Sequence, residues 1–239
     1  MNLDNFYSST SPEQAREIFG EKAHFHWAVP SETNNPFDQA VIDLFPYIKP
    51  NSKILDCGCG WGGPGNLIRQ QLGCDVTGVT ISKGQADYTN QFFPTDHADL
   101  HEYVPTEHYD LALFFESYFH LKDAVKVLKN LSNVDAILIK DYTFPINRPL
   151  PIWDGTVRSE NTYRQELGSA GFVVKEFISL GGEFWQPTID LWFEKVKRID
   201  VNRLSPLMRS VYDLCISYYS ITDKHTLTSS CIIYATKTA

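Results

Sequence analysis

No run of about 18 consecutive apolar residues occurs in this 239-residue chain, so nothing in it reads as a helix that crosses a bilayer. The opening MNLDNFYSST has neither the basic nor the apolar region of a secretory signal, and the expectation is a soluble, cytoplasmic protein. Positive charge is scarce as well: 21 Lys and Arg stand against 29 Asp and Glu, a net charge of −8. Nucleic-acid binders neutralise phosphates with basic patches, so a nucleic-acid partner is disfavoured. The densest basic cluster, Lys195-Val-Lys-Arg198, is one helical turn long and reads as a solvated helix face. No basic amphipathic segment suits a membrane surface either. Cysteine is sparse and odd in number; of the five, Cys57 and Cys59 flank a glycine where a disulfide or metal would oppose the turn, which points to free thiols in a reducing compartment. His24 and His26 flank Phe25 without a converging third ligand, so no metal is expected.

What is present is a 43% hydrophobic composition, enough for one α/β domain with additions spanning residues 1–239. Periodicity after residue 50 alternates strands with helices, the pattern of a doubly wound sheet. Strands are expected at 53–56, 75–80, 97–99, 110–115, 136–141, 173–180 and 229–236. Helices are expected at 63–72, 83–92, 122–130 and 160–168. Residues 1–50, with a helix around 12–19, form an N-terminal cap, and 51–180 form the core. Apolar residues at helical spacing make 181–226 a helical insertion before the final strand in 227–239. Prolines at 145, 149 and 151 make 144–153 a loop at the ligand edge.

The densest information lies in Asp56-Cys-Gly-Cys-Gly-Trp-Gly-Gly-Pro-Gly65, directly after Lys53-Ile-Leu55. Glycines there let a ligand approach the backbone closely, as a nucleotide-type site at a strand-to-helix turn requires. A carboxylate two residues before the first glycine would repel a pyrophosphate, yet it suits the amino group of a cationic ligand such as S-adenosylmethionine (SAM). Gly58-x-Gly60-x-x-Gly63 also satisfies the dinucleotide fingerprint, so a NAD-dependent oxidoreductase is a rival. Against it, the second strand ends in Thr80-Ile-Ser82 where that fingerprint needs an acid. A glycine turn that only lets strand and helix pack closely is the third reading.

Ile54-Leu-Asp-Cys-Gly-Cys-Gly-Trp-Gly62 resembles motif I of the class I SAM-dependent methyltransferases, and the likeness extends over most of residues 20–145. Gly78-Val-Thr-Ile-Ser-Lys-Gly-Gln85 is similar to the second-strand segment of the sterol, phosphoethanolamine and cyclopropane-fatty-acid branch. His97-Ala-Asp-Leu100 resembles the adenine-contacting motif. Phe115-Glu-Ser-Tyr-Phe-His120 resembles the segment after the fourth strand in small-molecule enzymes such as the glycine/sarcosine and tocopherol methyltransferases. Ile18-Phe-Gly-Glu-Lys-Ala-His24 with Trp27 is similar to the segment that closes over SAM there. The resemblance implies a Rossmann-like, seven-stranded, mostly parallel sheet with the last strand antiparallel. It implies a SAM site of Asp56, Gly58, Cys59, Gly60, Gly62, Thr80, Ile81, Ser82, Gln85, Asp99, Leu100, Glu116, Ser117, Tyr7 and Trp27.

Methyl transfer from a sulfonium is an in-line displacement, so the protein mainly positions a nucleophile and accepts a proton where one is released. His120, just beyond the fourth strand and with an ordinary pKa near 6.5, is the candidate base; a histidine that caps or packs a helix is the plainer reading of it. Aromatic residues on cleft-bordering segments suit a flat or methyl-rich acceptor, and Tyr118, His24, Tyr142, Trp153 and Trp185 are the candidate substrate contacts, although most aromatics at helical spacing simply pack. The expected function is methylation of an O, N or C atom of a small molecule, in biosynthesis, with a homodimer as the assembly considered. A SAM-fold protein that transfers no methyl group is the remaining alternative.

Overall fold

The structure is a computed structural model that describes residues 3–20, 25–29, 31–150, 154–181, 185–220 and 229–238, the side chains of 185–187 and 218–220 excepted. Its centre is a seven-stranded sheet built from β1 (Lys53–Cys57), β2 (Asp75–Thr80), β3 (Thr95–His97), β4 (Tyr109–Phe115), β5 (Val134–Thr143), β8 (Phe172–Ser179) and β9 (Ser229–Lys237). The order is β3-β2-β1-β4-β5-β9-β8, and β9 runs antiparallel to both neighbours while the other pairings are parallel. Strand order reverses between β1 and β4, which opens a crevice beyond their carboxyl ends. That crevice receives the glycine loop.

The central strands are apolar on both faces because helices cover both. In β1, Ile54, Leu55, Asp56 and Cys57 are all buried, and in β4 only Asp110 is exposed. One face packs Leu55, Phe114, Ile137 and Ile139 against α6 (Ala124–Asn130) and α7 (Glu160–Ser169). The other packs Ile54, Leu113 and Leu138 against α3 (Pro36–Ile42) and α4 (Gly63–Leu72).

Two expected elements shift. The second core helix, α5 (Lys83–Thr89), stops three residues short of 92, since Asn90 turns its side chain back to the Ala86 carbonyl and also bonds both the amide and the carbonyl of Thr95. That clamp draws Thr95 into register with Gly78, so β3 begins at 95 rather than 97. The proline loop contains a ribbon of β6 (Arg148–Leu150) and β7 (Gly155–Val157).

The N-terminal region carries α1 (Leu3–Ser8) in addition to the expected α2 (Pro12–Phe19), which Ser11 caps. The late insertion is α8 (Trp185–Val196) and α9 (Pro206–Ser220). These two regions share a third apolar cluster in which Phe19, Trp27, Trp192, Met208 and Val211 meet. Cap and insertion therefore form one layer over the crevice. Hydroxyl contacts fasten α1 into it, Ser8 to Ser82 at 3.0 Å and Thr10 to Ser205 at 2.6 Å.

Candidate active site

The first wall follows from backbone geometry. Gly58, Gly60 and Gly62 have φ of 83°, 54° and 77°, the left-handed region that disfavours a Cβ. At Gly58 the need is also spatial: a Cβ would sit 2.6 Å from that of Ser117, whose hydroxyl donates to the Cys57 carbonyl at 2.6 Å. The β1 and β4 ends thus meet directly, and a cavity of about 390 Å³ opens at their edge.

Asp56 lies on this wall, 1% exposed, with Oδ2 lacking a hydrogen-bond partner among the described residues. Burial pushes its carboxyl up to about 7. A buried acceptor with no donor is costly, so the site suits a ligand that brings a positive donor. Gly58, Cys59 and Gly60 line the same cavity; Gly62 does not, and instead starts α4 against Thr89.

The second wall descends from β2. Thr80 donates to Gln85 Oε1 at 2.9 Å, and Thr80, Ile81 and Gln85 line the cavity. Ser82 is fully buried outside it, capping α5 through the Gln85 amide and touching Ser8. Asp99 and Leu100 line the cavity as well. The Asp99 carboxylate accepts from the amide and ring of His101 at 2.9 and 2.8 Å; partial burial would raise its pKa, but these bonds outweigh it and hold the group below its ordinary value.

The third wall joins β4, β5 and the segment 25–29. Glu116 follows β4 with φ 51°, its carboxylate accepting from the Trp27 amide at 3.1 Å and the Tyr142 hydroxyl at 3.1 Å, and ion-paired with Lys140. Trp27 Nε1 donates to the Tyr142 hydroxyl at 2.8 Å. Ser117, His120, Trp27, Tyr142 and Tyr7 all face the cavity. The Tyr7 hydroxyl lies 2.7 Å from His120 Nε2, and burial raises the Tyr7 phenol so that it keeps its proton at neutral pH.

Under His120, the one-turn helix Tyr118–His120 is held by two buried groups. Asp141 accepts the Phe119 amide at 2.8 Å; burial raises it to about 7, against the lowering effect of its two backbone donors. Arg158 donates to the carbonyls of Tyr118 and Leu121 and pairs with Glu166.

The structure thus corrects one substrate contact. Tyr118 is fully buried on the far side of this turn, its hydroxyl donating to Glu166 at 3.0 Å with Arg158 over its ring, because Phe119 and His120 take the cavity-facing positions. Of the other proposed contacts Tyr142 lines the cavity, while His24, Trp153 and the Trp185 side chain lie outside the described residues. Sequence reasoning missed Phe25, His26, Phe119 and Trp192 as lining residues, and Lys140 and Asp141 as buried charges. Two adjacent charges ending the apolar run Ala136-Ile-Leu-Ile139 were the available signal. The sole group of ligand-type side chains close enough for a metal among the described residues, His108, Asp110 and Asp135, is exposed where β4 and β5 begin, away from the cavity.

Residues 31–141 match a family model described as a methyltransferase domain. The chain is 33% identical to (S)-tetrahydroprotoberberine N-methyltransferase of Eschscholzia californica over 160 residues, covering 59% of this chain and 45% of the other. It spans less than half the length of the first curated relatives it matches. Among solved structures, coclaurine N-methyltransferase bound to N-methylheliamine and SAH (S-adenosylhomocysteine) has a similar fold, with a TM-score of 0.81, 16% identity and coverage of 99% of this chain and 83% of that one. The cyclase SpnF is similar too, with a TM-score of 0.75, 13% identity and coverage of 94% of each chain. Residues 31–141 thus resemble a methyltransferase domain, and the fold that carries them resembles that of these solved structures.

Proposed function

We propose that this chain is a SAM-dependent methyltransferase for a small-molecule acceptor, acting on O, N or C in a biosynthetic reaction in the cytoplasm. The observation that carries the reading is that one cavity joins the Asp56 glycine loop to the Tyr7–His120 pair. Bound SAM supplies an activated methyl carbon. Asp56 would receive its amino group, Gln85 and Thr80 its ribose hydroxyls, and Asp99 with the Leu100 amide its adenine end. Gly58 and Gly60 keep side chains out of its way. No described helix is long and apolar enough to cross a membrane.

The chain's own chemistry is then positioning and proton removal. Phe25, Phe119, Tyr142 and Trp192 give the cavity an aromatic wall against which a flat or methyl-rich acceptor stacks. Where the acceptor atom carries a proton, Tyr7 can take it on oxygen while passing its own proton to His120 Nε2, which leaves the charge on the imidazole. Asp141 and Arg158 fix the turn that aims the ring. The dinucleotide alternative is weakened by the Thr80–Gln85 hydrogen bond, which occupies the place where that chemistry needs an acid.

The test is incubation with SAM and a panel of phenols, amines and activated carbon acids, read by mass spectrometry. The expected result is a product heavier by one methyl group together with S-adenosylhomocysteine. Failure of the protein to bind either cofactor form would sink the proposal. Because the cyclase SpnF shares the fold, a second reading is a SAM-fold protein without methyl transfer; tight cofactor binding with no methylated product from any acceptor would favour it.

A further inference from the structure

Lys140 is 1% exposed in the middle of the sheet, between β4 and β9, on the face that also carries Leu138 and Tyr142. A lysine in that position loses its hydration and is retained only against a close partner. Its partner is Glu116, itself 5% exposed, and the Lys140 ammonium also sits 5.0 Å from the centre of the Phe115 ring. Glu116 is held in turn with φ 51°, a backbone region that a glutamate adopts only when its surroundings impose it. What the carboxylate does in that pose is receive the amide of Trp27 and the hydroxyl of Tyr142. Trp27 belongs to the strap 25–29, whose Phe25, His26 and Trp27 all line the cavity. Neutral bonds also hold the strap: Trp27 Nε1 to the Tyr142 hydroxyl at 2.8 Å, the Ala28 amide to Thr188 at 2.7 Å and the Val29 amide to the Pro36 carbonyl at 2.8 Å.

We propose that Lys140 is a positioning residue of the active site: by pairing with Glu116 it turns that carboxylate toward the Trp27 amide and Tyr142, and so seats the strap as a cavity wall that carries no net charge. The neutrality matters to the reaction proposed above, on which this inference rests. Methyl transfer discharges a sulfonium, so an unneutralised carboxylate on the wall would favour the charged ground state over the transition state. Lys140 offsets that charge from behind the carboxylate, where it does not itself enter the cavity.

The test compares wild type, Lys140→Met, and the double variant Lys140→Met with Glu116→Gln. Met keeps the volume and leaves Glu116 buried without its cation. The added Gln removes the stranded charge and retains an oxygen acceptor for the Trp27 amide. Amide hydrogen exchange of the peptide covering 25–29 is read in the absence of cofactor, and S-adenosylhomocysteine affinity is titrated well below each melting temperature. In Lys140→Met, exchange of that peptide should accelerate at least tenfold and cofactor affinity should fall about tenfold. In the double variant the exchange should return to within about threefold of wild type. Unchanged exchange in Lys140→Met, a double variant no better than the single one, or failure of both variants to fold would each overturn the proposal. Wild-type protein that binds no S-adenosylhomocysteine would instead overturn the methyltransferase reading, and the exchange data would still decide whether Lys140 seats the strap.

Discussion

The hydroxyl of Tyr7, on α1, lies 2.7 Å from Nε2 of His120, 113 residues away in the turn that follows the fourth strand. The two rings meet edge to face, 5.6 Å between centroids. The contact exists because α1 is fastened by Ser8 to Ser82 and by Thr10 to Ser205, so a segment only six residues long completes the proposed proton-accepting site.

Removing either partner should separate binding from chemistry. His120→Ala is expected to lower turnover about 10²- to 10⁴-fold, as loss of a general base does, with S-adenosylhomocysteine affinity changed little. Tyr7→Phe keeps the ring packing but removes the oxygen that takes the proton, and should cost turnover on the same scale of about 10²- to 10⁴-fold. Calorimetric titration beside steady-state rates decides this. Equal losses in affinity and turnover would mean that the pair only shapes the cavity.

Gly58 and Gly84 should respond oppositely to alanine. At Gly58, φ 83° and a Cβ 2.6 Å from Ser117 predict a loss of at least about 1–2 kcal/mol from the left-handed backbone alone, together with loss of cofactor binding. At Gly84, in α5, a Cβ meets nothing within 4 Å, and Ala should stabilise by about 0.5–1 kcal/mol. Thermal melts of the two variants provide the comparison, and a stabilised Gly58→Ala would contradict the close-approach argument.

Asp56 and Asp141, each raised to about 7 by burial, set a pH dependence. Their unfolded carboxyls titrate near pH 4, so between about pH 4 and pH 7 the folded protein binds more protons than the unfolded chain. Stability of the cofactor-free protein should therefore fall as pH rises through that window, by up to about 1.4 kcal/mol per pH unit for each group, and level off above it. Asp56→Asn should flatten part of the slope in urea titrations across the window. A slope unaltered in the variant would show that Asp56 titrates elsewhere.

Arg158 is an anchor for the turn that carries His120. Its 4% exposure and its bonds to Glu166, Tyr118 and Leu121 predict that Arg158→Ala leaves the buried Tyr118 and Leu121 carbonyls and the partly buried Glu166 carboxylate without their donor and costs about 1–3 kcal/mol. Urea denaturation measures the loss. Arg158→Lys should recover little, because one ammonium cannot reproduce the guanidinium fork. A full recovery would reduce the role to charge alone.

Sequence by itself determined the core and the glycine-loop wall of the cavity. Apolar runs of strand length alternating with helical periodicity specify a covered parallel sheet, and an acid followed by closely spaced glycines specifies a turn with bare backbone beside one carboxylate. These are local statements, readable because strand, turn and helix lie within about ten residues of Asp56. Tertiary structure decided the rest. Tyr118 and His120 are two residues apart, and only the seating of that turn on Asp141 and Arg158 sends one ring into the core and the other into the cavity. Lys140 gives no periodic signal as a site residue; it joins the site because β5 lies beside β4, which brings its ammonium to Glu116 and, through Glu116, to Trp27. Contacts between positions 7 and 120, or 27, 116 and 140, depend on how layers pack, and no short window of sequence carries that information.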